Sequence, residues 1–182
     1  SLSPSPEDER RAAPKPPEVI VGDLEDTFED VAGGAAQYDD YNFGGFGGGA
    51  DKPFILASGV TSDMSHVQSA VNAIGLHSGA DAPESSMEAL YQAASGAGYD
   101  QNCNGSYDAT TDVLPFLEDA SDPFCGSAGE LYDGSLADSG TRGGFGFREY
   151  SLPIIIYATD QLLRDADLAG TASHGSTPGG CP

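Results

Sequence analysis

Oxygen-bearing side chains alternate from Asp100 through Asn102 and Asn104, followed by Gly105, Asp108 and Asp112. Calcium loops open in this way: positions 1, 3, 5 and 9 offer oxygens, and a glycine at position 6 permits the sharp bend. The pattern departs at position 12, where Thr111 replaces the bidentate Glu, and Asp112 one residue on is the substitute acid. Two neutral Asn ligands lower the charge of the set, so the spacing predicts modest affinity. A metal-free loop of Asx turns uses the same residues. Asn104-Gly105-Ser106 is also an N-glycosylation sequon.

A second acidic stretch, Gly79 to Ala93, begins as a stiff turn and becomes a helix. Pro83 fixes its own φ and biases Ala82 away from helical geometry. Ser85 or Ser86 caps the helix, whose Met87, Leu90 and Tyr91 fall at i, i+3, i+4 and predict a core-facing stripe. Asp81 and Glu84 are then held at the positive end of a helix, where hard cations find fixed oxygen ligands and where acids also simply balance the dipole.

Charge limits the partners. Lys plus Arg number 7 against 29 Asp plus Glu, a formal charge of −22, and no Lys or Arg stands between Pro53 and Thr141. Such a surface repels nucleic acid and anionic membrane and attracts cations. Metal ligation and solubility in high salt both account for it. No stretch is long enough to span a bilayer, and no signal peptide opens the chain, which begins without Met and reads as processed or a fragment. Cys103, Cys125 and Cys181 lack zinc-site spacing. Cys103 and Cys125 lie in loop-rich sequence where pairing would fit an oxidising compartment, leaving Cys181 over, and the sequence leaves that pairing open.

Residues 1–18 read as a disordered, Pro-rich tail and 19–182 as one domain, interrupted by a calcium-loop insertion at about 96–145. Val19-Ile20-Val21 suits a short strand and Gly22 to Asp30 one or two helical turns. Val31 to Tyr38 suits a buried strand, and Asn42 to Ala50 a flexible Gly-rich surface loop carrying Phe43 and Phe46. Phe54-Ile55-Leu56 reads as a strand. Asp63 or Ser62 caps a helix from Met64 to Ile74, with Val67, Ala70, Val71 and Ile74 on one face. Leu114 to Gly144 is irregular, and so long a loop is usually functional or held by ligands. Leu152 to Asp160 is the clearest strand pattern, a β-branched apolar run predicted to be buried on both faces and ending in an acid.

Asp-Ala-Pro-Glu-Ser-Ser-Met-Glu-Ala-Leu-Tyr-Gln, from Asp81 to Gln92, resembles the metal-site loop of the integrin β I-like domain, a von Willebrand factor A (VWA) domain. Gln37-Tyr38-Asp39-Asp40 and the run Phe54 to Asp63 follow in the family's order, and the likeness covers roughly Val31 to Asp160. It implies an α/β fold, a Rossmann-like, mostly parallel sheet with flanking helices. The sheet would be incomplete and would carry long loop insertions. It also implies that Glu84 and Asp160 hold the adhesion-site metal, and that Asp81, the Pro83 carbonyl and Asp40 hold a neighbouring calcium. Gly79 stands where integrins carry an Asn ligand. The family's first strand ends Asp-x-Ser-x-Ser, and the nearest counterpart here, Asp23-Leu24-Glu25-Asp26-Thr27, lacks both serines. The last strands and helices are missing too. The Asp100 loop resembles the EF-like loops of extracellular calcium repeats.

These readings lead to a secreted or cell-surface module binding calcium, with magnesium as the alternative ion. Its partner would be a protein ligand or a neighbouring subunit: a homo-oligomer, or an additional chain that completes the sheet. The alternative is a structural subunit of a surface or filamentous assembly in which calcium only holds loops. A hydrolase is the weakest reading, because no Gly-x-Ser-x-Gly, Ser-His-Asp ordering or His-rich metal site is present. Nor is nucleic-acid binding or membrane insertion expected.

Overall fold

The computed structural model describes residues 27, 29–75, 84–118, 131–159 and 161. The chain divides into two units, Ser1–Val31 and Ala32–Pro182, and nearly all described residues belong to the second. The expected strand at Val19–Val21 lies outside the described residues.

Small residues let two chain segments lie close together here. β1 (Gly33–Gln37) pairs antiparallel with β2 (Ile55–Thr61), with an irregular register around Ala35. The connection between them, residues 38–54, consists of turns and bends without a helix to carry a parallel crossover, and β2 returns antiparallel. Among the described residues these two strands are the whole sheet. The expectation of a mostly parallel, Rossmann-like sheet is therefore wrong for this chain: its described elements are two antiparallel strands and two helices.

α1 (Met64–Ala73) forms where local chemistry asks for it. Asp63 caps it, accepting from the Ser65 and His66 amides, both at 3.1 Å. Met64 and Val67 are buried, whereas Ile74, expected on the same face, is exposed beyond the last turn. α2 (Ser86–Ser95) occupies the predicted place but turns a different face inward. Met87 and Tyr91 are exposed, and Ser86, Ala89, Gln92 and Ala93 are buried. The reason lies far along the chain, where Gly144 donates to the Ala93 carbonyl at 2.9 Å. A Cβ on Gly144 would lie 2.2 Å from the Gln92 carbonyl oxygen, so this helix face must be small and smooth. Gln92, wholly buried, completes the turn beyond the helix. Its Oε1 accepts from the Gly98 amide at 2.9 Å and its Nε2 donates to the Gly98 carbonyl at 3.1 Å.

The core is aromatic. Tyr41, Phe46, Phe54, Ala93, Tyr99 and Val113 cluster, with Phe43 and Phe145 packed against them. Tyr41 stacks on Phe43 at 5.1 Å between centroids and meets Tyr99 edge-on at 5.9 Å. The Gly-rich segment from Asn42 is thus anchored in the core through its aromatics, contrary to a flexible surface loop. The irregular reading of Leu114 to Gly144 holds for its described parts, which form turns.

The strand expected from Leu152 to Asp160 is a second correction. Through Thr159 the segment belongs to no ladder, and Leu152, Ile154, Ile155 and Ile156 are exposed. An apolar run is buried on both faces only where layers cover it, and the described two-stranded sheet provides none. Among the described residues, no helix is long and apolar enough to cross a membrane.

Candidate metal centre

The loop from Asp100 is clasped at its root. Tyr99 and Val113 exchange backbone hydrogen bonds at 2.7 and 3.0 Å. Asp112, fully buried, fastens both sides: Oδ1 accepts from the Gln101 amide at 3.0 Å and Oδ2 from the Asp108 amide at 2.7 Å. Asp100, 1% exposed, accepts the Gly105 amide on Oδ2 at 2.9 Å. Gly105 has φ +80°, the left-handed bend that its place in the motif requires. Asn102 and Asn104 each accept the amide two residues on, at 3.0 and 2.9 Å. Asp108 is exposed at the rim, where Thr110 donates to Oδ1 through its hydroxyl at 2.7 Å and its amide at 2.8 Å. The hydroxyl bond is the main reason the Asp108 carboxyl sits below its ordinary pKa.

Two buried oxygens in this loop, Asp100 Oδ1 and Thr111 Oγ1, have no hydrogen-bond partner. A desolvated carboxylate oxygen left so costs about 1–3 kcal/mol or more. A hard cation satisfies such an oxygen, and the carboxylates and amides alongside suit calcium. Among the described residues, no three or more His, Cys, Asp or Glu side chains gather in metal-holding geometry. The donor set here therefore works only if amide and carbonyl oxygens complete it.

Sequence spacing missed the residues that fix this loop to the body. Gln101, buried between two louder neighbours, donates to the Asp51 carbonyl at 3.1 Å and the Thr111 carbonyl at 2.6 Å, and accepts the Asn42 amide at 3.2 Å. The Asn42 side chain also donates to the Thr111 carbonyl at 2.7 Å. Lys52 donates to the Ala109 carbonyl at 2.7 Å. Burial lowers the Lys52 ammonium below its ordinary pKa, against the opposing pull of Asp112, Asp108 and Asp39. These are long-range pairs with no local signature. Lys52→Gln is expected to tighten calcium binding by up to about fivefold, the ~1 kcal/mol scale of a partly exposed charge pair. Calcium titration of the two proteins measures it.

The other predicted residues gather in part. Asp40 is buried and accepts from the Tyr41 amide at 2.9 Å and from the Ser85 hydroxyl, which ties the end of β1 to the start of α2. Ser85 caps α2 without a side-chain bond to it, because its hydroxyl goes to Asp40. Glu84 is half-buried, and its charge acts on Tyr38. The Tyr38 phenol is raised far above its ordinary pKa, chiefly by burial, while a hydrogen bond to the Thr159 side chain opposes the rise. Tyr157 stacks on Tyr38 at 5.3 Å and their hydroxyls hydrogen-bond. Asp40, Glu84 and the approach to Asp160 thus share the region around the end of β1. Asp81, Pro83 and Asp160 themselves lie outside the described residues.

Beside the loop, Glu88 is pushed above its ordinary pKa by burial, and Gln92 Nε2 donates to it at 2.9 Å. Tyr99 is pushed up to about 12, first by burial and then by the charges of Glu88 and Asp100. A raised folded pKa on Glu88 stabilises the fold below the unfolded value of about 4.3, and that gain is lost as pH rises through the folded value. Glu88→Gln keeps the Gln92 bond and removes this loss. Its stability advantage over the parent is expected to grow from acid to neutral pH in denaturant titrations.

Cys103 is disulfide-bonded, while Cys125 and Cys181 lie outside the described residues. The chain matches no known protein family, no curated protein and no solved structure. The VWA likeness therefore rests on its short motifs alone.

Proposed function

We propose that this chain is a calcium-stabilised protein-interaction module, non-catalytic, working outside the cell or at its surface. The observation that carries this reading is the buried Asp100 Oδ1 without a hydrogen-bond partner, within a loop of alternating oxygen donors. Asp100, Asn102, Asn104 and Asp112 would hold the ion, with Asp108 at the rim. Calcium would neutralise the loop and satisfy the stranded oxygen. Magnesium demands a tighter octahedron and gives up water reluctantly, so it is the poorer ion for such a loop. The bonded Cys103 supports an oxidising compartment.

The near-complete burial of Asp100 and Asp112 favours an ion that holds the loop over one that captures a ligand with an open coordination position. Partner contacts then belong elsewhere on the surface. The VWA-like motif implies an adhesion metal at Glu84 and Asp160, with Asp40, Asp81 and the Pro83 carbonyl around a second calcium. That remains the adhesive form of the same proposal. Thermal unfolding in chelator, calcium and magnesium tests the ion. A calcium-specific rise in melting temperature supports the reading, and equal melting in all three contradicts it.

A further inference from the structure

Asn104 precedes Gly105, whereas the other asparagines precede Phe43, Ala73 and Cys103. An asparagine side-chain amide is open to attack by the backbone nitrogen of the next residue, which closes a five-membered succinimide ring. A following glycine permits this best, because no side chain shields its nitrogen and its backbone adapts to the ring. In the folded chain further features meet at this one peptide. Asn104 is exposed. Its Oδ1 accepts the Ser106 amide at 2.9 Å, which draws electrons from Cγ and stabilises the charge that this oxygen gains during attack. The Gly105 N–H, on the attacking atom itself, donates to Asp100 Oδ2 at 2.9 Å, and Asp100 is 1% exposed. A buried carboxylate on that N–H makes the nitrogen a better nucleophile. We propose that the loop deamidates its own Asn104 through a succinimide, and that the new carboxylate strengthens its hold on calcium.

The step needs only water. The Gly105 nitrogen bonds Asn104 Cγ, its proton passes to Nδ2, the Cγ–Nδ2 bond breaks and ammonia leaves. Water then opens the ring. Opening at Cγ leaves an aspartyl residue, and opening at the backbone carbonyl leaves an isoaspartyl residue. Either product exchanges a neutral amide for a carboxylate at the fifth position of the loop, and more ligand charge tightens a calcium loop. The other asparagines are placed differently. Asn72 lies in α1, where the next amide is spent on the helix, and its Oδ1 accepts from Gln68 Nε2 at 2.9 Å. Asn42 Nδ2 is held by the Thr111 carbonyl at 2.7 Å. Asn102 accepts an amide as Asn104 does, at 3.0 Å, but the nitrogen that would attack it belongs to Cys103, whose side chain crowds it. Deamidation itself is independent of the ion, and only its consequence rests on the calcium reading above.

Incubation of the full, unglycosylated chain at neutral pH in chelator, followed by peptide mapping of the amide-to-acid mass change, tests this. Asn104 is expected to react about tenfold or more faster than Asn42, Asn72 or Asn102. Asp100→Asn, with its melting temperature in chelator at or above the parent's, is expected to slow the reaction at Asn104 about tenfold or more. Reaction at Asn104 no faster than at Asn102 overturns the proposal, and so do equal Asn104 rates in the parent and Asp100→Asn. Asn104→Asp supplies the aspartyl product directly and is expected to bind calcium about tenfold more tightly than the parent. Equal affinities in two chains that both bind calcium overturn the gain. Fast, Asp100-dependent reaction at Asn104 in a chain that calcium never binds leaves the modification standing and removes only the calcium reading.

Discussion

Asp100→Asn is expected to abolish the calcium response of this chain and to reverse its rank against the parent between chelator and calcium. With two neutral ligands the loop falls at the weak end of calcium modules, with a dissociation constant of about 10⁻⁴ M. At about 10 mM calcium, a hundredfold excess, binding to the folded state alone adds about 2.7 kcal/mol. For a chain of this size that is a rise of roughly 5–10 °C in melting temperature. In chelator the parent carries a buried carboxylate with one oxygen unsatisfied. The amide removes that charge from beside Asp112 and keeps an acceptor for the Gly105 amide, which now bonds Asp100 Oδ2. The variant should therefore melt at or above the parent in chelator and roughly 5–10 °C below it in calcium. Parallel melts of the two proteins read both differences. A variant that still gains stability from calcium would move the ion to another site.

Gly144→Ala is expected to destabilise the fold by about 3 kcal/mol or more in denaturant titration. The added Cβ would meet the Gln92 carbonyl oxygen at 2.2 Å and its carbon at 3.0 Å, both backbone atoms of α2 that no rotamer change can move aside. Either the turn lifts away or the helix shifts, and the Gly144 to Ala93 hydrogen bond is lost with it. Gly49→Ala is the control, because nothing lies within 4 Å of its added Cβ, and its effect should stay within about 0.5 kcal/mol. Equal stabilities for the two variants would contradict the packing of the 140–147 turn against α2.

What could be read in the sequence was local. Asp63 announces α1 because a cap acts within three residues, and Gly105 marks the bend of the Asp100 loop because a left-handed φ suits glycine. Val31 to Tyr38 and Phe54-Ile55-Leu56 signalled the two strands that pair. What could not be read depended on partners distant in the chain. Met87, Leu90 and Tyr91 follow a helical stripe as well as Ser86, Ala89 and Ala93 do, and only the approach of Gly144 decides between them. Leu152 to Thr159 has the composition of a central strand, but composition cannot supply the neighbours that would bury it. The loop's chemistry was visible at Asp100, Asn102, Asn104, Asp108 and Asp112. Its attachment through Gln101, Asn42 and Lys52 was not, because those bonds reach ten to sixty-nine residues along the chain.

Calorimetric titration of calcium into the chelator-treated full chain, beside Asp100→Asn, is the most direct measurement. Saturable binding to the parent within about 10 mM calcium, missing in the variant, is the expected result. No saturable binding to the parent, or the same binding to both, would contradict a calcium ion in the Asp100 loop.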